Sequence, residues 1–318
     1  MSINIVRFEH ESRTRWGVLR EHEIIPIPGE FASTGDFVRA AGTSNLGALG
    51  GDPIDAGRVE ILSPVTRNQR FVCQGANYRQ HMIESGIDPD VKTYNMIFTK
   101  ASSSIVPATS DVVIPPHVRF LDYEIELGLV LGREIRGPVI VTDDNLHEFV
   151  AAVVIVNDYS ARDIQIPQMQ FYKGKSFRTF GPVGPHLTIL DQDNVGLVKR
   201  LRLTLTVNGQ VRQDDTTANL VYSPAETLTE LSKVHDFEPG DLLATGTPAG
   251  CALFVPSPVK QRIAALLPEK MKWKLFLEAQ SKRTQYLEAG DIVESRIRSE
   301  DGTIDLGVQK NRVVAEAA

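Results

Sequence analysis

Two glutamates, Glu124 and Glu126, stand two positions apart in the segment DYEIELGLVLG. In a strand, residues i and i+2 leave the same face, roughly 7 Å apart at the backbone. Carboxylates converging there repel each other unless water or a cation lies between them. Gly128, of the same parity, is expected to leave open space beside the pair. The same alternation also describes the polar face of a half-buried strand. Asp158 stands where the apolar run AAVVIVN ends, at the mouth of a buried strand, a common place for a site residue; a helix or turn cap is the alternative. With water filling open positions, the three carboxylates suit a hard cation, Mg²⁺, Mn²⁺ or Ca²⁺.

His81 and Glu84 lie three apart in a segment opened by Asn77-Tyr-Arg-Gln80, whose capping-box spacing predicts a short helix stopping at Ser85-Gly86. On one helix face the carboxylate can orient the imidazole and raise its basicity, and such a histidine can take a proton from water. An ordinary surface helix pair has the same spacing. Lys175 in KGKSF and the turn Thr245-Gly-Thr-Pro-Ala-Gly250 complete the candidates, against the plainer readings of a surface charge and a connecting loop. The turn lacks the spacing and the Lys-Ser/Thr of a phosphate-binding loop. Cys73 and Cys251 stand alone, so no zinc pattern is present, and neither a GxSxG elbow nor a GxGxxG fingerprint occurs.

Strands must position most of these groups. Leu201, Leu203, Leu205 and Val207 alternate with polar residues before Asn208-Gly209, a strong hairpin signal. Tyr123 to Leu131 reads as a second strand, and AAVVIVNDY, apolar on both faces, as a central buried one. Near the N-terminus, residues 3–8 and a stretch from Trp16 predict two more extended segments. A short helix around Phe37 to Ala41 follows, then the turn-rich GALGGDPIDAG and the linker ILSPVTRN. Ser223-Pro-Ala-Glu226 is a capping box with proline at the first helical position, launching a helix toward His235. Residues 258–283 are helix-prone and interrupted by Pro268.

The 318 residues suit about two domains. We expect a small N-terminal module, residues 1–65, and a larger part, 66–318. With 42% hydrophobic and 23% charged residues the chain is globular rather than disordered. A formal charge of −6 argues against nucleic-acid binding. Two isolated cysteines suit a reducing compartment. No apolar run approaches the roughly 20 residues of a membrane span, and no signal peptide is read, so a cytoplasmic protein with no membrane partner is expected.

Six motifs, GANYRQHMIE, FTKASSSIV, DYEIELGLVLG, NDYSARDIQ, GKSF and LLATGTPAG, resemble in order those of the fumarylacetoacetate hydrolase family. The resemblance runs over roughly residues 68–250 and resumes near 286–313. It implies a strand-rich α+β fold, a mixed β-sandwich roll with a small N-terminal α+β domain, assembled as a homodimer. It implies that Glu124, Glu126 and Asp158 ligate Mg²⁺ or Mn²⁺, with Ca²⁺ the remaining candidate from ligand type. His81 and Glu84 correspond to an acid–base pair on a mobile lid helix, and Lys175 to the family's site lysine. Tyr78, Arg162, Gln165, Thr245, Gly246 and Thr247 fall where the family contacts substrate.

The implied activity is metal-dependent hydrolysis of a C–C bond in a β-diketone or acylpyruvate-type substrate from ring catabolism. Water is activated by His81 and Glu84, and Lys175 with the metal stabilises the leaving enolate. Isomerisation or decarboxylation of an unsaturated 2-oxo acid on the same site is the alternative. Residues 254–283 stand where compact family members have a short loop. This insertion carries seven basic residues against two acidic ones, which suits either attraction of an anion or a solvated helix face.

Overall fold

The computed structural model describes residues 2–41, 46, 49–256 and 258–316. Gly47 and Ala48 of the predicted turn, and residue 257 of the insertion, lie outside the described residues. Two sheets organise the chain. The larger has eleven strands, and its centre runs Leu187–Ile189, Val150–Asn157, Ile125–Leu131, Leu242–Ala244, Phe71–Gly75, Met96–Lys100. Pairing is antiparallel except between Leu242–Ala244 and Phe71–Gly75. The N-terminal strands Asn4–His10, Arg13–Arg20 and Glu23–Pro26 extend the same sheet, joined to it where Asn4 pairs with Thr188. The second sheet has five strands, Gln210–Thr216, Leu201–Val207, Ile292–Ser299, Asp305–Ala315 and Val112–Ile114.

The architecture is strand-rich α+β, packed in layers because alternate residues of the central strands serve two cores. From Ile125–Leu131, Leu127 and Leu129 pack with Leu203, Leu205 and Ile297 of the five-stranded sheet. Val130, with Val154 and Val156 of the neighbouring strand, packs instead against Ile5, Trp16 and Phe37 of the N-terminal segment. A strand buried on both faces has no polar face to offer water, so its one charged residue, Glu126, must serve a buried partner or a ligand.

Local signals translate directly in several places. The hairpin turns through Asn208 (φ 51°) and Gly209 (φ 77°), both left-handed as a two-residue turn of this twist requires. The helix Pro224–Leu231 starts with both halves of the capping box at Ser223 and Glu226. Thr34–Ala41 is helical, and the segment expected to be an insertion forms two helices, Pro258–Ala265 and Glu269–Gln280, with Pro268 at the break.

Three local expectations are corrected. Strand structure in the DYEIELGLVLG segment begins only at Ile125, with Tyr123 and Glu124 ahead of it. Gly128 does not border open space: a Cβ there would lie 2.7 Å from Val156 Cγ2 and 2.9 Å from Val154 Cγ1. The glycine lets two valines of the neighbouring strand Val150–Asn157 close over it. Asn77 does not cap the helix Arg79–Glu84, whose N-cap is Tyr78 without a side-chain bond. Its carboxamide donates instead to the carbonyls of Tyr222 (3.1 Å) and Thr245 (2.9 Å). These distant backbone groups, absent from any local pattern, win the side chain. Among the described residues, no helix is long and apolar enough to cross a membrane.

Candidate active site

The site starts where two strand ends are stitched together. The Glu124 N–H donates to Asn157 Oδ1 (2.9 Å), and the Asp158 N–H donates to the Glu124 carbonyl (2.8 Å). Two residues on, the Glu126 carboxylate accepts a hydrogen bond from the Gly246 N–H (2.8 Å). Gly246 sits at φ 87°, and a Cβ there would lie 2.9 Å from Asn77 Cβ, so glycine alone brings this amide to the carboxylate. Thr245 and Thr247 fix the turn by donating to the carbonyls of Leu127 (2.9 Å) and Ile125 (3.0 Å). The outcome is that Glu124, Glu126 and Asp158, all buried, offer oxygens within 4.8 Å of one another.

Cations are built into the same cluster. Lys175 Nζ donates to Glu124 Oε2 (2.7 Å), Asp158 Oδ2 (2.6 Å) and Ser160 Oγ (2.8 Å). Its reading as a surface charge is overturned: the side chain is buried. Lys100 Nζ donates to Asp158 Oδ1 and to the Phe180 carbonyl (2.9 Å). Asp158 caps no helix; both its oxygens are taken by lysines. Arg162 donates through Nε to Asp122 Oδ2 (2.8 Å), through Nη1 to Gln165 Oε1 (2.7 Å), and through Nη2 to Glu124. Asp122 in turn accepts from the N–H groups of Ala252 (2.7 Å) and Leu253 (3.0 Å), anchoring the start of the insertion to the site.

The charges do not close. Asp122, Glu124, Glu126 and Asp158 are four buried carboxylates facing the three buried cations Lys100, Arg162 and Lys175. Burial alone would raise the Glu124 carboxyl, but Arg162 and Lys175 prevail and hold it at about 2. Glu126 goes the other way. Burial, then the Asp158 and Glu124 charges, push its carboxyl well above the usual range, and among the described residues no cation salt-bridges it. Three hard oxygen donors within 4.8 Å, one of them uncompensated, fit a divalent cation.

Above this floor opens a cavity of about 800 Å³. Glu124, Glu126, Arg162, Gln165, Lys175, Thr247 and His81 all line it. Asp158, Tyr78, Thr245 and Gly246 are buried behind its surface, and among the described residues the Tyr78 hydroxyl has no hydrogen-bond partner. His81 is half-buried with Nδ1 enclosed and, among the described residues, without a hydrogen-bond partner, and burial pushes its pKa below 6.5. Glu84 is exposed and accepts from Gln80 (3.5 Å) rather than from the imidazole. One helical turn separates His81 from Glu84, but their side chains leave for different environments.

Lys100 and Asp122 are site residues that the sequence reading passed over, although both sit beside or inside conspicuous motifs, FTKASSSIV and DYEIELGLVLG. A strand lysine looks like a surface charge until its strand is known to be the neighbour of a buried one. The apolar walls were not foreseen either: Phe98 and Phe171 meet edge to face at 5.3 Å, Trp273 and Phe276 do so at 6.1 Å, and all four line the cavity.

Comparison with known proteins places this geometry in context. The family model for the fumarylacetoacetate hydrolase C-terminal domain matches residues 70–314. A mitochondrial oxaloacetate tautomerase of Bos taurus is 36% identical over 203 residues, 63% of this chain and 62% of that protein. An oxaloacetate tautomerase of Bacillus subtilis is 33% identical over 204 residues, 64% of this chain and 66% of that protein. The chain therefore matches a little under two thirds of the length of these curated relatives. The solved structure of a fumarylacetoacetate hydrolase from Exiguobacterium antarcticum superposes with a TM-score of 0.74 at 27% identity, covering 99% of this chain and all of that one.

Proposed function

Because the chain belongs to the fumarylacetoacetate hydrolase family, we propose that it is a Mg²⁺-dependent enzyme that moves a proton between carbon and oxygen in a 2-oxo acid, a keto–enol or double-bond isomerisation. One observation supports this choice: His81 lines the cavity with its Nδ1 enclosed and, among the described residues, without a hydrogen-bond partner, while Glu84 makes no hydrogen bond to the ring. Moving one proton between neighbouring atoms needs a single poised base. Hydrolysis also needs a water held by an oriented pair, and that pair is not assembled here. The naming of relatives as oxaloacetate tautomerases supports the same reaction class.

When bound to Glu124, Glu126 and Asp158, the cation supplies Lewis-acid polarisation of the substrate carbonyl. His81 enters the reaction neutral, since burial lowers its pKa, and so accepts the proton from the carbon next to that carbonyl and returns it to oxygen. Lys175, held by Glu124, Asp158 and Ser160, keeps a full positive charge where negative charge develops on oxygen. Burial disfavours that charge, but the Asp158 and Glu124 carboxylates outweigh it and raise the ammonium pKa. Arg162 is committed to Asp122, Glu124 and Gln165, which makes it first a positioning residue. Thr247 and Gln165 line the substrate space. Gly246 orients Glu126 rather than substrate.

The direct test presents the enol form of oxaloacetate to the Mg²⁺-loaded protein in D₂O. Accelerated loss of the enol absorbance with deuterium entering carbon, at otherwise unchanged mass, is the expected result. Cleavage of an acylpyruvate with gain of one water, without any acceleration of ketonisation, would overturn it. Hydrolytic C–C cleavage is the second reading, favoured by a cavity of about 800 Å³ that has room for a larger acyl substrate and a water beside His81.

A further inference from the structure

The cavity is two-toned. Its floor holds the carboxylates, Arg162 and Lys175, whereas its walls are apolar and come from two separate parts of the chain. Met96, Phe98 and Phe171 belong to the catalytic roll, and Trp273, Leu275 and Phe276 belong to the helix Glu269–Gln280 of the insertion. The Phe98 ring marks the border: Lys175 Nζ lies 5.2 Å from its centroid, and Phe171 packs on its edge. At the insertion side Lys272 Nζ lies 4.6 Å from the Trp273 centroid, and Lys260 also borders the cavity.

From this division we infer that the substrate is a 2-oxo acid carrying an apolar tail, aliphatic or aromatic, which the insertion encloses. The inference rests on the proposed reaction class and adds its substrate type. Three observations drive it. Cavities that enclose drug-sized ligands span roughly 300–1,000 Å³, so about 800 Å³ far exceeds what a four-carbon diacid occupies. Water finds too few hydrogen-bond partners along walls of Phe, Met, Leu and Trp to fill that space well. The helix that carries the insertion's aromatic pair is also clamped at its end. Gln280, fully buried at the end of its helix, exchanges hydrogen bonds with the backbone of Phe254 at the insertion's start. Lys260 and Lys272, which line the cavity, attract an anionic substrate, and its tail stays in the aromatic half.

The test uses substrate-like chelators that are not turned over: oxamate, and N-hexyloxamate with the same head and an apolar tail. With the full chain at saturating Mg²⁺, calorimetry is expected to give N-hexyloxamate about tenfold or more tighter binding than oxamate. Acrylamide quenching should report the contact separately. The chain has two tryptophans; Trp16 is buried and Trp273 is half-buried, so N-hexyloxamate should shield Trp273 while oxamate does not. In Trp273→Ala and in Phe276→Ser the affinity ratio of the two probes falls toward one. Both residues are partly exposed in the insertion, and a Mg²⁺-induced thermal shift checks that each variant is folded with its floor intact.

Equal affinity of the two probes in the wild-type protein would overturn the inference while leaving the proposed reaction standing. Binding of neither probe would overturn the proposed reaction and the tail pocket together. An unchanged ratio in Trp273→Ala, accompanied by a change in sedimentation, would reassign the aromatic wall to a contact between copies of the chain.

Discussion

Gln280 and Phe254, 26 positions apart, hold each other by two hydrogen bonds: Phe254 N–H donates to Gln280 Oε1 (3.1 Å), and Gln280 Nε2 donates to the Phe254 carbonyl (2.8 Å). The Tyr286 hydroxyl donates to the same Oε1 (2.7 Å), so one buried carboxamide closes the base of the insertion and ties it to the roll. Gln280→Ala removes a partner from three polar groups at once. Leaving a buried group unsatisfied costs about 1–3 kcal/mol, and a drop of that order in unfolding free energy is expected. Urea denaturation measures it, together with faster proteolysis between residues 258 and 283. An unchanged midpoint and cleavage rate would show that the clasp holds nothing.

Glu126→Gln should separate metal binding from fold stability. The Glu126 charge is opposed by burial, Asp158 and Glu124, so in chelator-treated protein its removal leaves stability unchanged or raises it. Mg²⁺ stabilises the wild-type fold by roughly 2.7 kcal/mol at 100 times its Kd. In the variant that thermal shift should vanish. A wild-type-sized Mg²⁺ shift in Glu126→Gln would remove this residue from the ligand set.

Lys175→Met makes the opposite experiment. Removing one partner of a buried ion pair costs roughly 3–5 kcal/mol, and here it strips cationic hydrogen bonds from both Glu124 and Asp158. A divalent cation on the same carboxylates restores positive charge, so Mg²⁺ should raise the melting temperature of the variant more than that of wild type. Isomerase turnover should fall even in the metal-loaded variant. A smaller Mg²⁺ shift in Lys175→Met than in wild type would mean that lysine and cation do not share the carboxylates' charge.

The pH dependence tests how His81 is held. Burial places its folded-state pKa below 6.5, with Glu124 pulling upward and Arg162 downward less strongly. As pH falls through 6.5 the unfolded chain takes up the proton first, so wild-type stability declines from there down to the folded-state pKa. Above that window the imidazole is neutral in both states and contributes no slope. The stability difference between wild type and His81→Gln should therefore shrink between about pH 7.5 and pH 5. Urea midpoints across that range measure it, and a pH-independent difference would argue against a neutral, enclosed imidazole.

The sequence by itself determined whatever depends on near neighbours. Alternation from Leu201 to Val207 and the Asn208-Gly209 turn specify a hairpin. Ser223 and Glu226 specify a helix start, and an apolar run ending at Asp158 specifies a central strand with a carboxylate at its mouth. The carboxylates and lysine stood in readable motifs because their types suit one chemistry. Tertiary structure decided the partnerships. Lys100 reaches Asp158 across 58 positions because Met96–Lys100 and Val150–Asn157 belong to one sheet whose strand order no local pattern encodes. Asn77 leaves its helix for the carbonyl of Thr245, 168 positions away, and Gly128 fills rather than opens space. The aromatic wall is likewise tertiary: Trp273 and Phe276 share a cavity with Glu124 and Glu126 while Gln280, in the same helix, bonds back to the Phe254 backbone. Local propensity acts over a few residues, whereas desolvated charges and buried amides take their partners from whatever the sheet order brings within reach.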